Sequence, residues 1–476
     1  VADTATADTA PSARAQRVIG NVVRGAKALG VETSAFSYGG EIRAAIPEGD
    51  VAHGARAARA AFGLDGSGLR VCVLSDSFAR RNGGAELAND IASGDLPGVG
   101  NPNGRILPVQ FAGSGEYAGA STVNDGGRAM LQIVHAILPG AQLYFATAFN
   151  SIADFANNIA AMGGLNTFRG AAVTGTVLSP GCHIIVDDIF YFAESGLHDG
   201  QATGVTSSNN MGIVTQAVND VTAAGVLYFS SAGNSGNLSD GTSGAWEGDF
   251  TTPGGAIPVG IAGTGDALLW NGVDVGNTIS GTSTSSIIMQ WSDPLGGASN
   301  DYDLFRLNAT LTTVQASSTN VQNGAQDPLE AVSQAAGSRL VVVRRTGAAP
   351  RFISLTTNRG RLQYATSGQV RGHAGAANAF GTAATPTSPG NGGPFPGRFV
   401  GGNVVETFSS DGPRRVFFNA SNAAITPGNF LAATSGGLLR QKTDITAADG
   451  APTSAPGFER FFGTSAAAPH AAAISG

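Results

Sequence analysis

A serine near the C-terminal end of the chain lies in a context that suits nucleophilic chemistry. Ser465 stands in GTSAAAPH, where Gly463 permits a tight turn and the Ala-rich run predicts a helix beginning at the serine. The first turn of a helix presents free backbone N–H groups and the positive end of its dipole, which stabilise an oxyanion. A serine at that position is also a common N-cap, so this motif alone leaves both roles open.

Two further polar side chains follow predicted strands. Asp76 comes directly after LRVCVLS (69–75), an apolar run typical of a buried parallel strand, at the sheet edge where ligands usually bind. Asn234, in SAGNSG, follows VLYFS (226–230), and its amide could donate to an oxyanion. Taken singly, the aspartate could cap a loop and the asparagine could be a turn residue.

Together these segments resemble the subtilases, the subtilisin-like serine peptidases. GSGLRVCVLSDS contains the Asp76 match, SAGNSG the Asn234 match and GTSAAAPH the Ser465 match. The resemblance implies that Ser465 is the nucleophile, Asn234 the oxyanion donor and Asp76 the acid that orients or assists the base. It implies polypeptide as the substrate and a subtilisin-like fold.

The resemblance extends over roughly residues 55–255 and 366–476 of the chain. ETFSSDGP (406–413) and KTDITAADG (442–450) are similar to the segments that precede the family's serine. Family members continue beyond the serine helix, so we expect a chain ending at Gly476 to be cut short.

The family's base position is where the chain departs from the pattern. The matching segment is NDGGRAMLQIVHAILPGAQLYFATA (124–148), and Gly126 stands where subtilases have histidine. The opening is closer to sedolisin-like relatives, which have glutamate there and work in acid. Glycine cannot accept a proton, and no other histidine matches the position; the six are His53, His135, His183, His198, His373 and His470.

Two carboxylates are the alternatives that we consider. Asp125 adjoins Gly126 and is either the N-cap of the helix or a substitute base. Asp188 follows the strand that begins at His183, and in subtilases the segment after that strand lines the specificity pocket. Asp188 could therefore face the substrate, or it could pair with another carboxylate and have a raised pKa. The remaining alternative is that Asp188 only caps a loop.

Strands that alternate with helices must position these residues. Apolar runs predict strands at 69–75, 142–147, 183–186 and 226–230, and helical patterns lie between them, from Ala129 to Leu138 and from Val214 to Ala224. Helices are also predicted at 17–29 and 51–63, after a polar segment, 1–16, that we expect to be disordered. This order predicts a parallel α/β sheet.

The pattern changes after about residue 261. Residues 278–365 contain short alternating runs separated by turns, which predict an antiparallel β-sandwich. A Gly/Pro/Asn-rich linker is predicted at 381–397. We therefore divide the chain into an N-terminal extension (1–50), an α/β domain in two parts (51–261 and 366–476) and an inserted sandwich (262–365).

Composition excludes two classes of function. The net charge is −7 with no basic run longer than two residues, which argues against nucleic-acid binding. No apolar stretch is long enough to span a bilayer. Cys72 and Cys182 lie in apolar runs without metal-ligand spacing. We interpret them as buried free thiols, and the alternative is one bridge between neighbouring strands.

The combined prediction is a serine endopeptidase, impaired or acid-active because of Gly126. The alternative is an inactive pseudopeptidase that binds protein or glycan through the sandwich.

The sandwich resembles accessory modules of secreted peptidases, so we expect a secreted protein. No cofactor is expected. Calcium is conceivable at Asp293, Asp301 and Asp303, although solvated turn acids suit their spacing better.

Overall fold

The computed structural model describes residues 2–4, 36–38, 41–45, 47–120, 123–387 and 398–476. Within these ranges there are seven α-helices: α1 Glu48–His53, α2 Ala55–Phe62, α3 Leu87–Ala92, α4 Gly126–Ile137, α5 Ile152–Met162, α6 Ile213–Ala223 and α7 Thr464–Ser475. Short 3₁₀ turns lie at Arg81–Gly84, Gly372–Gly375 and Ala432–Thr434.

A seven-stranded parallel sheet forms the centre of the molecule. Its strands are β1 Arg70–Ser75, β2 Gln110–Phe111, β3 Gln142–Thr147, β4 Ile184–Asp187, β5 Leu227–Ser231, β6 Ala379–Pro386 and β7 Ile445–Asp449. Their order across the sheet is β7-β6-β5-β4-β1-β3-β2, and every pairing is parallel. The predicted α/β fold is confirmed.

Helices cover both faces of this sheet, because its central strands are apolar on both sides. Val71 and Val73 of β1 face a cluster that includes α4 and α7. Cys72 and Leu74, the alternate residues, face α5 and α6. The sheet therefore places α7 and its first residues on the same face as α4.

The interpretation of the cysteines as free thiols is wrong. Cys72 and Cys182 form a disulfide with a Cα–Cα distance of 6.0 Å. Cys72 lies in β1 and Cys182 just before β4, and these strands are hydrogen-bonded neighbours. The pairing depends on sheet order, which the local sequence around each cysteine does not reveal.

Two antiparallel sheets lie between β5 and β6 in the chain. The first contains Ala245–Asp249, Phe352–Thr356, Ile287–Trp291 and Leu329–Val332, in that order. The second contains Val314–Ser318, Tyr302–Leu307, Arg339–Arg345, Asn277–Gly281 and Arg361–Leu362, with Gly265–Ala267 beside Arg339–Arg345. Apolar side chains from both sheets share one core. The first of these strands begins at Ala245, before the predicted boundary at 262.

These sheets contact the α/β region through buried polar groups. Gln290 donates to the Glu194 carbonyl at 3.1 Å, and the His198 imidazole pairs with the Asp293 carbonyl at 3.0 Å. Glu247 forms an ion pair with Arg414. Division of the chain into separate domains stays a prediction.

The remaining local predictions have mixed outcomes. The helix predicted at 51–63 is two helices, α1 and α2, separated by Gly54 in the left-handed region. The predicted linker is partly wrong, because its first residues belong to β6, while 388–397 lie outside the described residues. The predicted helix at 17–29 and most of the segment 1–16 also lie outside them.

Five short strand pairs complete the described structure: Ala2–Thr4 with Ile189–Tyr191, Phe36–Tyr38 with Glu41–Arg43, Thr167–Phe168 with Ala171–Ala172, His198–Asp199 with Phe418–Asn419, and Arg414–Val416 with Leu438–Arg440. No helix in the described ranges has the length and apolar character that a bilayer span requires.

Candidate active site

Ser465 lies in the first turn of α7 and is fully buried. The preceding Gly463 has φ 110°, and a Cβ there would lie 3.0 Å from Asn234 Nδ2, so glycine suits both the backbone and the close approach. The Gly463 N–H donates to Asp449 at the end of β7, at 3.0 Å. The helix start is thereby anchored to the sheet.

Asn234 follows β5 and is fixed by the residue before the serine. Its Oδ1 accepts hydrogen bonds from the Thr464 N–H and hydroxyl, both at 2.9 Å. The Thr464 hydroxyl also accepts from Gly233 N–H at 3.1 Å. Asn234 Nδ2 is buried and has no hydrogen-bond partner in the described part of the chain. An unsatisfied buried donor costs about 1–3 kcal/mol, which argues for a ligand at this position.

Asp76 directly follows β1 and is buried. Its carboxylate accepts backbone N–H groups from Ser77, Asn124 and Gly126 at 2.7–2.8 Å. Burial raises the pKa of Asp76 to about 6, and the charge of the nearby Asp125 adds to the rise. The three N–H donors lower the pKa but do not offset the effect of burial. Asp76 is therefore held in one orientation at the start of α4.

Asp188 directly follows β4, the neighbour of β1, and is buried beside Asp76. Burial is the main cause that raises the pKa of Asp188 well above the usual carboxyl range, and the charges of Asp76 and Asp187 add to the rise. Hydrogen bonds from the Ser75 and Ser465 side chains act in the opposite direction and lower the pKa. Asp188 Oδ1 is buried without a hydrogen-bond partner among the described residues. Both Asp76 and the serine of α7 thus act on the Asp188 carboxyl group.

Gly126 is the first residue of α4 and packs closely against Asp76 and Ser75. A Cβ at this position would lie 3.2 Å from Asp76 Oδ1, 3.2 Å from Ser75 Oγ and 3.6 Å from the Phe458 ring. A larger side chain would therefore begin next to Asp76 and Ser75. Glycine supplies no group for proton transfer here.

Asp125 is engaged away from Ser465. Its φ is 59°, and its side chain makes no cap hydrogen bond to the helix. Instead it accepts from the Ser77 hydroxyl at 2.7 Å and from the Arg80 N–H at 2.9 Å, and it lies 3.5 Å from the Arg128 guanidinium. Its carboxylate thus holds the loop after β1. The substitute-base role stays a prediction that these contacts do not favour.

The sequence interpretation missed a buried ionic triad on the opposite face of β4. His373 Nδ1 lies 2.7 Å from Glu194, and its Nε2 lies 3.1 Å from Asp187. Burial opposes protonation, but the two carboxylates outweigh it and raise the pKa of His373 to about 10. The sequence VDDI contained a signal for this triad. Successive residues of a strand face opposite sides of the sheet, so Asp187 and Asp188 had to lie in different environments.

The acids named for calcium have protein partners. Asp293 pairs with Arg351 at 2.6 Å, Asp303 with Arg345, and Asp301 accepts the Gln322 N–H at 3.1 Å. In the described ranges no group of three or more His, Cys, Asp or Glu side chains is arranged to hold a metal ion. Calcium binding stays a prediction.

Comparisons with known proteins bear on this site. No protein with a curated description matches the chain. A solved structure of the Clostridium perfringens CspB protease has 12% sequence identity and a TM-score of 0.41, over 88% of this chain and 84% of that one. The family model described as the subtilase family, peptidase S8, matches residues 114–476, which include Gly126, Asn234 and Ser465 but not Asp76. The chain therefore belongs to the subtilase family.

Proposed function

We propose that this protein is a serine peptidase that cleaves polypeptides and works slowly near neutral pH. The observation that supports this most is the Asn234 amide. Thr464 holds its oxygen, so that the unpartnered Nδ2 remains for a developing oxyanion beside Ser465. Family membership supports the same chemistry.

A backbone pairing supports an extended peptide as the substrate. The strand Ala2–Thr4 pairs antiparallel with Ile189–Tyr191, the segment that begins directly after Asp188. That edge therefore accepts a peptide as an added strand, a common mode of peptide recognition. A substrate bound in this way would lie next to the residues around Ser465.

The low rate follows from Gly126. General-base assistance is typically worth about 10²–10⁴-fold, and glycine contributes none. Ser465 and Asn234 would retain the electrostatic part of the rate enhancement. The likeness of the segment around Gly126 to the sedolisin-like branch remains part of this proposal.

A secreted location is also proposed. The buried Cys72–Cys182 disulfide supports it, because such bonds persist mainly in oxidising compartments.

Labelling with a fluorophosphonate probe tests the proposal, since the probe reacts only with an activated serine. We expect slow labelling of the parent and none of Ser465→Ala. Asn234→Ala should lower kcat on a peptide substrate by about 10²–10³-fold with little change in KM, because the amide acts on the transition state. Equal labelling of the parent and Ser465→Ala would contradict the assignment.

The second candidate is a pseudopeptidase that binds protein or glycan through the antiparallel sheets. Gly126 favours it, because the family's proton acceptor is missing. A folded parent that resists labelling at every pH would support this alternative.

A further inference from the structure

Proton transfer from Ser465 needs an acceptor that the family pattern no longer supplies, and all six histidines are placed elsewhere. His53 accepts from Ala448 N–H, His183 from Arg70 N–H, His470 pairs with the Ala466 carbonyl, and His198 pairs with Ser195. His373 is held by the triad described above, and His135 is buried in α4, where burial and the arginines Arg43 and Arg105 lower its pKa.

Asp188 is a carboxyl group near the nucleophile, because α7 packs against β4, the strand that Asp188 directly follows. It is buried, it follows β4 at the same sheet edge as Asp76, and its environment includes the hydroxyls of Ser75 and Ser465. One of its oxygens is unpartnered within the described ranges, so the group retains capacity to accept a proton. The positive end of the α7 dipole lies at Ser465 and favours negative charge nearby.

We propose that Asp188 is the catalytic residue that takes the proton from Ser465, in place of the side chain that Gly126 lacks. This inference rests on the proposed peptidase function and adds the identity of its base.

For a peptide bond, the proposed reaction forms an acyl-enzyme at Ser465 and then hydrolyses it. As Ser465 Oγ bonds the carbonyl carbon, its proton passes to an Asp188 oxygen and the carbonyl π electrons move to the oxygen, beside Asn234 Nδ2. The electron pair on the oxygen then re-forms the C=O bond as the C–N bond breaks, and the proton passes from Asp188 to the nitrogen of the leaving amine. Water next gives a proton to Asp188 as its oxygen bonds the carbonyl carbon. The C=O bond re-forms again as the bond between this carbon and Ser465 Oγ breaks, and Oγ takes the proton from Asp188.

The surroundings of Asp188 determine the pH dependence. The ionisable groups that act on it are Asp76 from the end of β1 and Asp187 from its own strand, both acidic, and Asp125 acts in turn on Asp76. Because Asp188 accepts a proton only when ionised, activity should rise with pH. A small ionised fraction near neutral pH is consistent with a slow enzyme.

The test is the rate of fluorophosphonate labelling between roughly pH 4 and pH 9, which brackets the titration of a perturbed carboxyl group. In this reaction Oγ bonds phosphorus, fluoride leaves and the hydroxyl proton passes to the base. We expect the parent's rate to rise along one ionisation. Asp188→Asn should lose that ionisation and at least about 10²-fold in rate.

Asp220→Asn is the matched control, because it makes the same chemical change on α6, at the opposite face of the sheet. It should keep the parent's rate and profile. Circular dichroism checks folding.

If Asp188→Asn does not fold, Asp76→Asn replaces it. Loss of the neighbouring charge should lower the pKa of Asp188 and move the rate profile to lower pH.

The other outcomes of these experiments distinguish the role of Asp188 from the peptidase function. Unchanged rate and profile in folded Asp188→Asn, or an unmoved profile in Asp76→Asn, would overturn the role of Asp188 while parent labelling still supports the peptidase. A folded parent that never labels would overturn both the peptidase function and this inference.

Discussion

At the scale of single residues, Gly126 decides what the site can do. The position opens α4 beside Asp76, and its backbone N–H holds that carboxylate at 2.8 Å. The backbone of Gly126 therefore still binds the Asp76 carboxylate, but the residue has no side chain that could accept a proton. The neighbouring acids, Asp76 and Asp188, both have raised pKa values because they are buried.

Gly126→Glu or Gly126→His should increase peptidase activity by about 10²–10⁴-fold, because either side chain would start beside Asp76 and supply a base. Initial rates on a denatured protein substrate, from acid to neutral pH, measure the gain. Gly126→Ala is the control, since it makes the same backbone change without an ionisable group, and it should give no gain. Equal activity in all four proteins would contradict this prediction and would mean that a base at position 126 adds nothing to the one already in the site.

At the scale of elements, β4 joins two functions in adjacent residues. Asp187 pairs with His373, which also pairs with Glu194, whereas the Ser465 hydroxyl acts on Asp188. The triad connects β4 to the turn Gly372–Gly375 just before β6. The end of β4 that precedes Asp188 is thus supported on the other face of the sheet by ionic contacts.

His373 should stabilise the protein in a pH-dependent way. Its pKa in the folded state is about 10, above 6.5, so its contribution is fully present below about pH 6.5 and is lost as the pH rises through 10. His373→Gln should cost about 3–5 kcal/mol at neutral pH, because it leaves buried carboxylates unpaired. Denaturant titrations from neutral to alkaline pH measure this, with exposed His183→Gln as control. A variant that keeps the parent's alkaline loss of stability would disprove the assignment.

The disulfide between β1 and the start of β4 closes a loop with a sequence separation of 110 residues. Reduction should lower the free energy of unfolding by about 2–5 kcal/mol, since the reduced unfolded chain gains freedom. Denaturation of the parent with and without reductant measures the effect. The Cys72→Ala/Cys182→Ala double variant should not respond to reductant. Equal stability of the oxidised and reduced parent would contradict the prediction.

At the scale of the whole molecule, the antiparallel sheets and the α/β region are joined by buried charges. Arg414 is buried, pairs with Glu247 of the first antiparallel sheet and donates to the Gly368 carbonyl. Ser354 of the same sheet also donates to Glu247, at 2.7 Å. The two regions should therefore unfold together.

Arg414→Met should cost about 3–5 kcal/mol, because it removes the ion-pair partner of the largely buried Glu247. Glu247→Gln should also destabilise the protein, and the double variant should lose less than the sum of the single variants. Denaturant unfolding of the four proteins gives this coupling energy. Strict additivity, or two separate unfolding transitions, would show that the regions are not coupled through this pair.

The sequence by itself determined the α/β class and the segments in which Ser465, Asn234 and Asp76 lie. These features are local: an apolar run marks a buried strand, and a short motif marks a helix start, so each can be recognised without knowledge of the rest of the chain. The absence of a base at Gly126 was equally readable, because it concerns one position in one motif.

Only the tertiary structure decided which distant residues meet. The Cys72–Cys182 bond, the engagement of Asp125 by the loop after β1 and the approach of Asp188 to Ser465 all depend on sheet order and on helix placement. The β6 strand was mistaken for the start of a linker because its small residues pair with strands more than fifty residues away in sequence. Contacts of this kind arise from packing between segments, which local residue patterns do not specify.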